Sequence, residues 1–196
     1  MTSKLTERSY IEIGTLPGDL KIEKGSEEYN SLWNMRPGYR AKIKIFGKEY
    51  DMPREQQVYG VSNYSYSGTK FETQETPELL KKYLDWANEK ESTDDKYNMI
   101  LVNWYHNGED NIGWHKDNER EIKEGSNVMT ISLGGSRKFK IKHDTNNELK
   151  MDIETQHNGY IVMGGDFQKE FKHSIPKSKS AKYQEGRISI TLRKFK

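Results

Sequence analysis

The sequence predicts a mainly β domain with flanking helices, and three observations predict it. The first is length and polarity: 196 residues, 32% hydrophobic and 32% charged, with a mean hydropathy of −1.04, supply one core rather than two. The second is aromatic content, since twelve Tyr, six Phe and four Trp bury large areas each and keep a compact core within reach of so polar a chain. The third is a change of period. From Tyr97 onward apolar residues alternate in short β-rich runs at 98–105, 128–133, 137–142, 160–163 and 187–193, separated by Gly-containing or polar turns, the pattern of an all-β sandwich or barrel.

Two helices are predicted before Tyr97. Ser26 can cap a short one whose Tyr29, Leu32 and Trp33 share a face, and Arg36-Pro37-Gly38 ends it. Thr76 is the expected cap of the second, with Pro77 at its first position. Leu79, Leu80, Tyr83, Leu84 and Ala87 form its apolar stripe, and the charged run 89–96 ends it. Loops long enough to carry function are expected at 106–127, 143–159 and 164–186. No internal repeat or low-complexity block interrupts the chain, so residues 1–196 read as a single domain. No apolar run nears the ~20 residues that cross a bilayer, and the first residues lack a secretory signal's apolar stretch. A soluble, intracellular protein with no membrane partner is expected, nuclear or cytoplasmic.

Cysteine is absent, which excludes disulfides, thiolate zinc sites, iron–sulfur clusters and cysteine nucleophiles. Any metal must sit on His, Asp or Glu. The net charge of +2 names no partner, but Arg36, Arg40, Lys42, Lys44, Lys48 and Arg54 crowd a segment whose acids are Glu49 and Asp51. Such a cluster is a solvated strand face or a contact for phosphates. Among five histidines, His115 lies two residues from Asp117, and an extended segment points both the same way. Alone, that pair is common. Joined by His173 it offers two imidazoles and one carboxylate, the facial set that holds Fe(II) and leaves three adjacent positions open. His106, His143 and His157 fall in or beside loops and are expected at the surface. In the last β run Arg187, Ser189, Thr191 and Arg193 share one face, and Ile188, Ile190 and Leu192 share the other. Two arginines on an inward face need anionic partners, which a dicarboxylate supplies; a solvent-facing edge strand needs none.

Several of these residues carry a resemblance. The run Asn98-Met99-Ile100-Leu101-Val102-Asn103-Trp104-Tyr105, then Gly108, Asp110, Ile112, His115, Asp117 and Glu119, then Ser132-Leu133-Gly134, His173 and the Arg-x-Ser-x-Thr-x-Arg end resemble the AlkB family in order and spacing across 97–195. Upstream, Ile45-Phe46-Gly47-Lys48, the Pro53 to Gly60 run and Tyr64-Ser65-Tyr66-Ser67-Gly68 resemble the nucleotide-recognition segment of the branch that repairs alkylated double-stranded DNA. That resemblance implies a double-stranded β-helix (jelly roll) core over about 97–195, with an N-terminal nucleotide-recognition lid over about 36–70. It implies a monomeric Fe(II)- and 2-oxoglutarate-dependent dioxygenase that demethylates 1-methyladenine and 3-methylcytosine in DNA. Succinate, CO2 and formaldehyde are the other products. The same chemistry on RNA and a nucleic-acid-binding module without turnover are the alternatives.

The same resemblance assigns residues. His115, Asp117 and His173 match the iron ligands at the catalytic centre, and Asn103, Tyr105, Arg187, Ser189, Thr191 and Arg193 match the 2-oxoglutarate site. Arg187 is expected on the distal carboxylate and Arg193 near the metal-chelating end. Phe46 matches a wedge that fills the stack vacated by an extruded base, with an ordinary strand residue as the other reading. Tyr66 is expected to stack on that base, with Tyr64 and Ser67 as further substrate contacts. Arg54 and the lysines at 42, 44 and 48 are expected on phosphates, and Glu119 matches the acid that reads the base. Ser189 stands where the family usually has the longer Asn, and Asn118 replaces an acid beside the lesion. Trp114 could line the base pocket or shield the metal.

Overall fold

A computed structural model describes residues 1–45, 47–60, 64–66, 69–71, 73–91 and 94–196, with backbone alone at 44–45, 64–66 and 69–71. Phe46 and Ser67 lie outside the described residues, as do the side chains of Tyr64 and Tyr66. In chain order the strands begin β1 (Thr2–Lys4), β2 (Ser9–Thr15), β3 (Lys42–Ile45), β4 (Lys48–Asp51), β5 (Glu55–Gly60), β6 (Tyr64–Tyr66), β7 (Thr69–Phe71) and β8 (Thr73–Gln74). They continue with β9 (Met99–Tyr105), β10 (Ile112–His115), β11 (Val128–Gly134), β12 (Lys138–His143), β13 (Lys150–Glu154), β14 (Gly159–Gly165), β15 (Phe171–Ile175) and β16 (Arg187–Arg193). The helices are α1 (Glu27–Asn34), α2 (Glu78–Lys90) and α3 (Phe167–Glu170).

An eight-stranded sheet, ordered β1-β2-β14-β11-β16-β9-β5-β8, faces a four-stranded sheet ordered β10-β15-β12-β13. The period-two pattern explains the layering. Ile100, Val102 and Trp104 of β9, Ile188, Ile190 and Leu192 of β16, and Met129, Ile131 and Leu133 of β11 point to one side. There Leu32 of α1 and Leu80, Tyr83 and Ala87 of α2 cover them. The fully buried Trp104 donates from Nε1 to the Leu32 carbonyl at 3.0 Å, so the indole N–H is satisfied where the helix crosses. A second core fills the gap between the sheets, with Ile11, Val128, Ile161 and Met163 from the larger one against Phe139, Ile141, Ile153, Phe171 and Ile175 from the smaller. This is the jelly-roll architecture expected.

The structure departs from expectation in particular places. The three expected loops contain strands β10, β13 and β15, and His173 lies inside β15 rather than after a strand. Polar side chains explain this: along β15 the inward positions are Phe171, His173 and Ile175, and a histidine in the middle breaks the apolar alternation. The N-terminal strands β1 and β2 and strand β5, within the segment expected to form a lid, belong to the larger sheet, which therefore reaches well upstream of 97. Ser26 caps α1 as expected, its Oγ accepting from the Tyr29 N–H at 3.2 Å. Thr76 does not cap α2: Pro77 is extended and takes the cap position itself, so helix begins only at Glu78. Nor are two of the three outlying histidines simply at the surface. His157 bridges the Gly134 N–H at 2.8 Å and the Ile22 carbonyl at 2.7 Å, and His106 pairs with the buried Glu55 at 2.7 Å. Among the described residues no helix is long and apolar enough to cross a membrane.

The short helix α3 ends at a clip that ties the N-terminus to β15. The Glu170 carboxylate accepts from Thr6 Oγ1, Ser9 Oγ and Arg8 Nη2, each at 2.6 Å. The Ser9 and Thr6 hydroxyls, with Arg8 adding charge, bring its pKa from 4.5 down to about 2. A depressed carboxylate stabilises the fold above its unfolded pKa and loses that contribution as pH falls through the folded one. Glu170→Gln is therefore expected to lower stability by about 1–3 kcal/mol at neutral pH. In urea titrations the gap should close as pH falls below about 4.5; a gap independent of pH would show that the carboxylate charge is not what holds the clip.

Candidate active site

Three potential ligand side chains converge between the sheets. Antiparallel pairing of β10 with β15 sets His115 opposite His173, with ring centroids 4.1 Å apart. Asp117, two residues beyond His115, reaches toward both: Oδ1 is 3.7 Å from His115 Nε2, and Oδ2 is 3.6 Å from His173 Nε2. One ligand atom from each residue lies within 4.8 Å of the others. His115 Nδ1 donates to the Gly113 carbonyl at 2.9 Å, which leaves the Nε2 lone pair facing the cluster. His173 lies against Phe139 and Phe167, and its Nδ1 is buried without a hydrogen-bond partner among the described residues.

Electrostatics prepare this cluster for a cation. Burial, helped by the neighbouring His115, pushes the His173 imidazole down to about 3, and burial likewise lowers His115. Both rings are therefore neutral donors. Burial alone would raise the Asp117 carboxyl, but the charge and hydrogen bond of Arg193 hold it below its ordinary value, ionised. Arg193 makes a fork: Nη2 donates to Asp117 Oδ1, and Nη1 donates to Glu119 Oε1 at 3.2 Å. Gln168 Oε1 accepts from the Asp117 N–H at 2.8 Å and fixes the loop that presents the carboxylate.

The opposite wall comes from the larger sheet. Between β9 and β11, β16 is a central strand with every residue buried, so the edge-strand alternative is excluded. Its Arg187, Ser189, Thr191 and Arg193 line one pocket with Asn103 and Tyr105 of β9 and with His115, Asp117 and His173. Arg187 is 1% exposed and donates from Nη2 to Ser132 Oγ at 2.8 Å and Ser189 Oγ at 3.3 Å. Its Nε and Nη1 have no partner among the described residues. Burial lowers its pKa to about 10, so it stays cationic at neutral pH. A buried cation met by neutral hydroxyls, with two free donors, is built to receive a carboxylate. Ser189 itself is shared with Thr130, Oγ to Oγ1 at 3.0 Å.

Other expected contacts fall differently. Arg54 is 3% exposed, with its guanidinium donating to Asn103, Gln56 and Asn111 rather than facing solvent; in this arrangement it cannot clamp a phosphate. Arg36 and Arg40 are also engaged internally, by the Trp33 carbonyl and by Asp110. Lys42 and Lys48 on the β3–β4 pair are exposed. Trp114 is 42% exposed, with Lys142 Nζ 4.5 Å from its ring centre, so it lies outside the pocket. Sequence reasoning missed Gln168, and it missed Arg137, which is 1% exposed and donates to the carbonyls of Asn107, Asp110 and Pro176. Neither sits in a motif that could have flagged it.

Residues 23–193 match the family described as the 2OG-Fe(II) oxygenase superfamily. Mouse DNA oxidative demethylase ALKBH2 is 30% identical over 167 residues, covering 81% of this chain and 68% of that protein. This chain is an AlkB-type 2OG-Fe(II) oxygenase. Human DNA oxidative demethylase ALKBH2 is 28% identical, and bovine alpha-ketoglutarate-dependent dioxygenase alkB homolog 3 is 26% identical over 191 residues. The oxygenase spans 62% and 64% of those two proteins. The solved structure of OsALKBH1 shares the fold, with a TM-score of 0.59 at 12% identity over 99% of this chain and all of that one. As a dioxygenase of this family the chain uses Fe(II) and 2-oxoglutarate, and the His/His/Asp donor set and the free donors of Arg187 fit both.

Loss of an outer-shell partner alone commonly costs a metal site about 10–100-fold in affinity. Gln168→Ala is expected to weaken Mn(II) binding by about tenfold, and His173→Ala by more than about 100-fold, measured by calorimetric titration. Wild-type affinity in a folded His173→Ala variant would place the metal elsewhere.

Proposed function

We propose that this oxygenase repairs DNA by removing methyl groups from alkylated nucleobases, with 1-methyladenine and 3-methylcytosine as substrates, acting as a monomer. The observation that carries the reading is one buried pocket in which the His115/Asp117/His173 set faces the free donors of Arg187, with Glu119 just beyond Asp117. Relatives named DNA oxidative demethylase support a nucleic-acid substrate. When bound, Fe(II) and 2-oxoglutarate supply the oxidation that turns O2 and the keto acid into succinate and CO2 and hydroxylates the N-methyl carbon, which leaves as formaldehyde.

The chain's own part is to bind, orient and keep out water. His115, Asp117 and His173, which line the pocket together, would hold the metal. Arg187 and the hydroxyl of Ser189 would hold the distal carboxylate, while Asn103, Tyr105 and Thr191 would complete the wall around the keto acid and Arg193 would lie near its metal-chelating end; all six line the pocket. Leu101, Ile112, Phe139, Met163 and Ile175 make the rest of the lining, Thr130 apart, apolar. Glu119 accepts from the exocyclic amine that both lesions carry. Because the methyl sits on the pairing edge, the base must leave the duplex. Phe46 as wedge and Tyr66 as stacking platform are carried over from sequence. Exposed Lys42 and Lys48 supply charge for the backbone phosphates.

The test is formaldehyde and succinate release from matched 1-methyladenine oligonucleotides, as duplex DNA, single-stranded DNA and RNA, with Fe(II), 2-oxoglutarate and ascorbate. Turnover on DNA is expected, with none from Asp117→Ala and with Phe46→Ala hurting duplex far more than single strands. A preference for RNA, with Phe46→Ala acting equally on all strands, would move the substrate to RNA; binding without succinate release would make the chain a non-catalytic reader.

A further inference from the structure

Arg54 stands immediately before β5, two residues ahead of Gln56, so both side chains fall on one face of the strand. The β5–β9 register sets Gln56 opposite Asn103. Three bonds then fix the guanidinium. Nε donates to Asn103 Oδ1 at 2.7 Å, Nη2 to Gln56 Oε1 at 3.2 Å, and Nη1 to the Asn111 carbonyl at 3.4 Å. Asn111 in return donates its N–H to the Pro53 carbonyl at 2.9 Å. The corner ahead of β5 is thereby clamped both to the pocket wall and to the residue that leads into β10, the strand that carries His115.

The consequence concerns the amide of Asn103. A carboxamide has an accepting end and a donating end of nearly equal size, and only its partners decide which faces a ligand. With Oδ1 held by a buried guanidinium, the NH2 is the end left for the pocket that Asn103 lines. An NH2 can donate to a carboxylate or keto oxygen; the opposite orientation would present an acceptor to an anion. We propose that Arg54 is a positioning residue for 2-oxoglutarate, acting through Asn103. The proposal rests on the co-substrate of the family, and not on the choice of methylated base.

The test is calorimetric titration of 2-oxoglutarate into the Mn(II)-loaded full chain for wild type, Arg54→Met, Asn103→Ala and the double variant. Losing a charge-assisted hydrogen bond that orients a ligand group is expected to weaken binding by about tenfold in Arg54→Met. The double variant should bind no more weakly than Asn103→Ala alone, because the two act as one unit. Mn(II) binding should be retained throughout. Arg54→Lys keeps the buried charge but offers a point donor in place of the fork, and an intermediate loss is expected from it if Arg54→Met does not fold. Wild-type affinity for 2-oxoglutarate in a folded Arg54→Met or Arg54→Lys variant, or losses that add in full, would overturn the proposal. A wild-type chain that binds Mn(II) but no 2-oxoglutarate would instead overturn the co-substrate assignment.

Discussion

Two guanidiniums buried on the inner face of β16 set the terms for the rest of the molecule. A charge removed from water must find an opposite charge or a dense set of hydrogen bonds. Arg193 finds Asp117 and Glu119, while Arg187 finds no carboxylate among the described residues, meeting the hydroxyls of Ser132 and Ser189 and the ring of Tyr105 5.2 Å away. The pocket therefore holds one compensated cation at the metal end and one under-compensated cation at the far end. That asymmetry would give a dicarboxylate a direction, with the end far from His115, Asp117 and His173 toward the free donors of Arg187 and the near end toward an arginine already braced by a carboxylate.

The sheets make this arrangement hold. Strand β16 is hydrogen-bonded on both sides, by β9 and β11, and its apolar face is pinned by α1 and α2. A one-residue slip would turn both arginines into the helical layer, so the register is fixed by burial. On the smaller sheet the β10–β15 pairing brings two histidines together, and the packing of Phe139 and Phe167 against His173 leaves that ring little freedom. Neutral imidazoles and an ionised Asp117 follow from burial and from Arg193, so the donor set stands in its metal-binding protonation state before any cation arrives.

Much of this was legible in the residues. Alternation over 187–193 announced a two-faced strand, and the arginines on one face announced an anion; both follow from side-chain period alone. The β9, β11, β12, β14 and β16 strands appear where apolar runs placed them. Strands β10, β13 and β15 did not announce themselves, because functional or solvent-facing polar residues occupy positions where an apolar side chain would signal a strand. Arg54 shows the limit most clearly. In sequence it belongs to a basic cluster, and only the β5–β9 pairing turns it inward to an asparagine 49 positions away. Gln168 and Arg137 act through backbone groups of other segments, and no local pattern records such partners.

The most direct measurement is a crystal structure of the chain with Mn(II) and N-oxalylglycine, an unreactive stand-in for the keto acid. Density for a cation bonded to His115, Asp117 and His173, with the far carboxylate of the diacid on Arg187, is the expected outcome. A cation held by other side chains, or a diacid seated away from Arg187, would contradict the account.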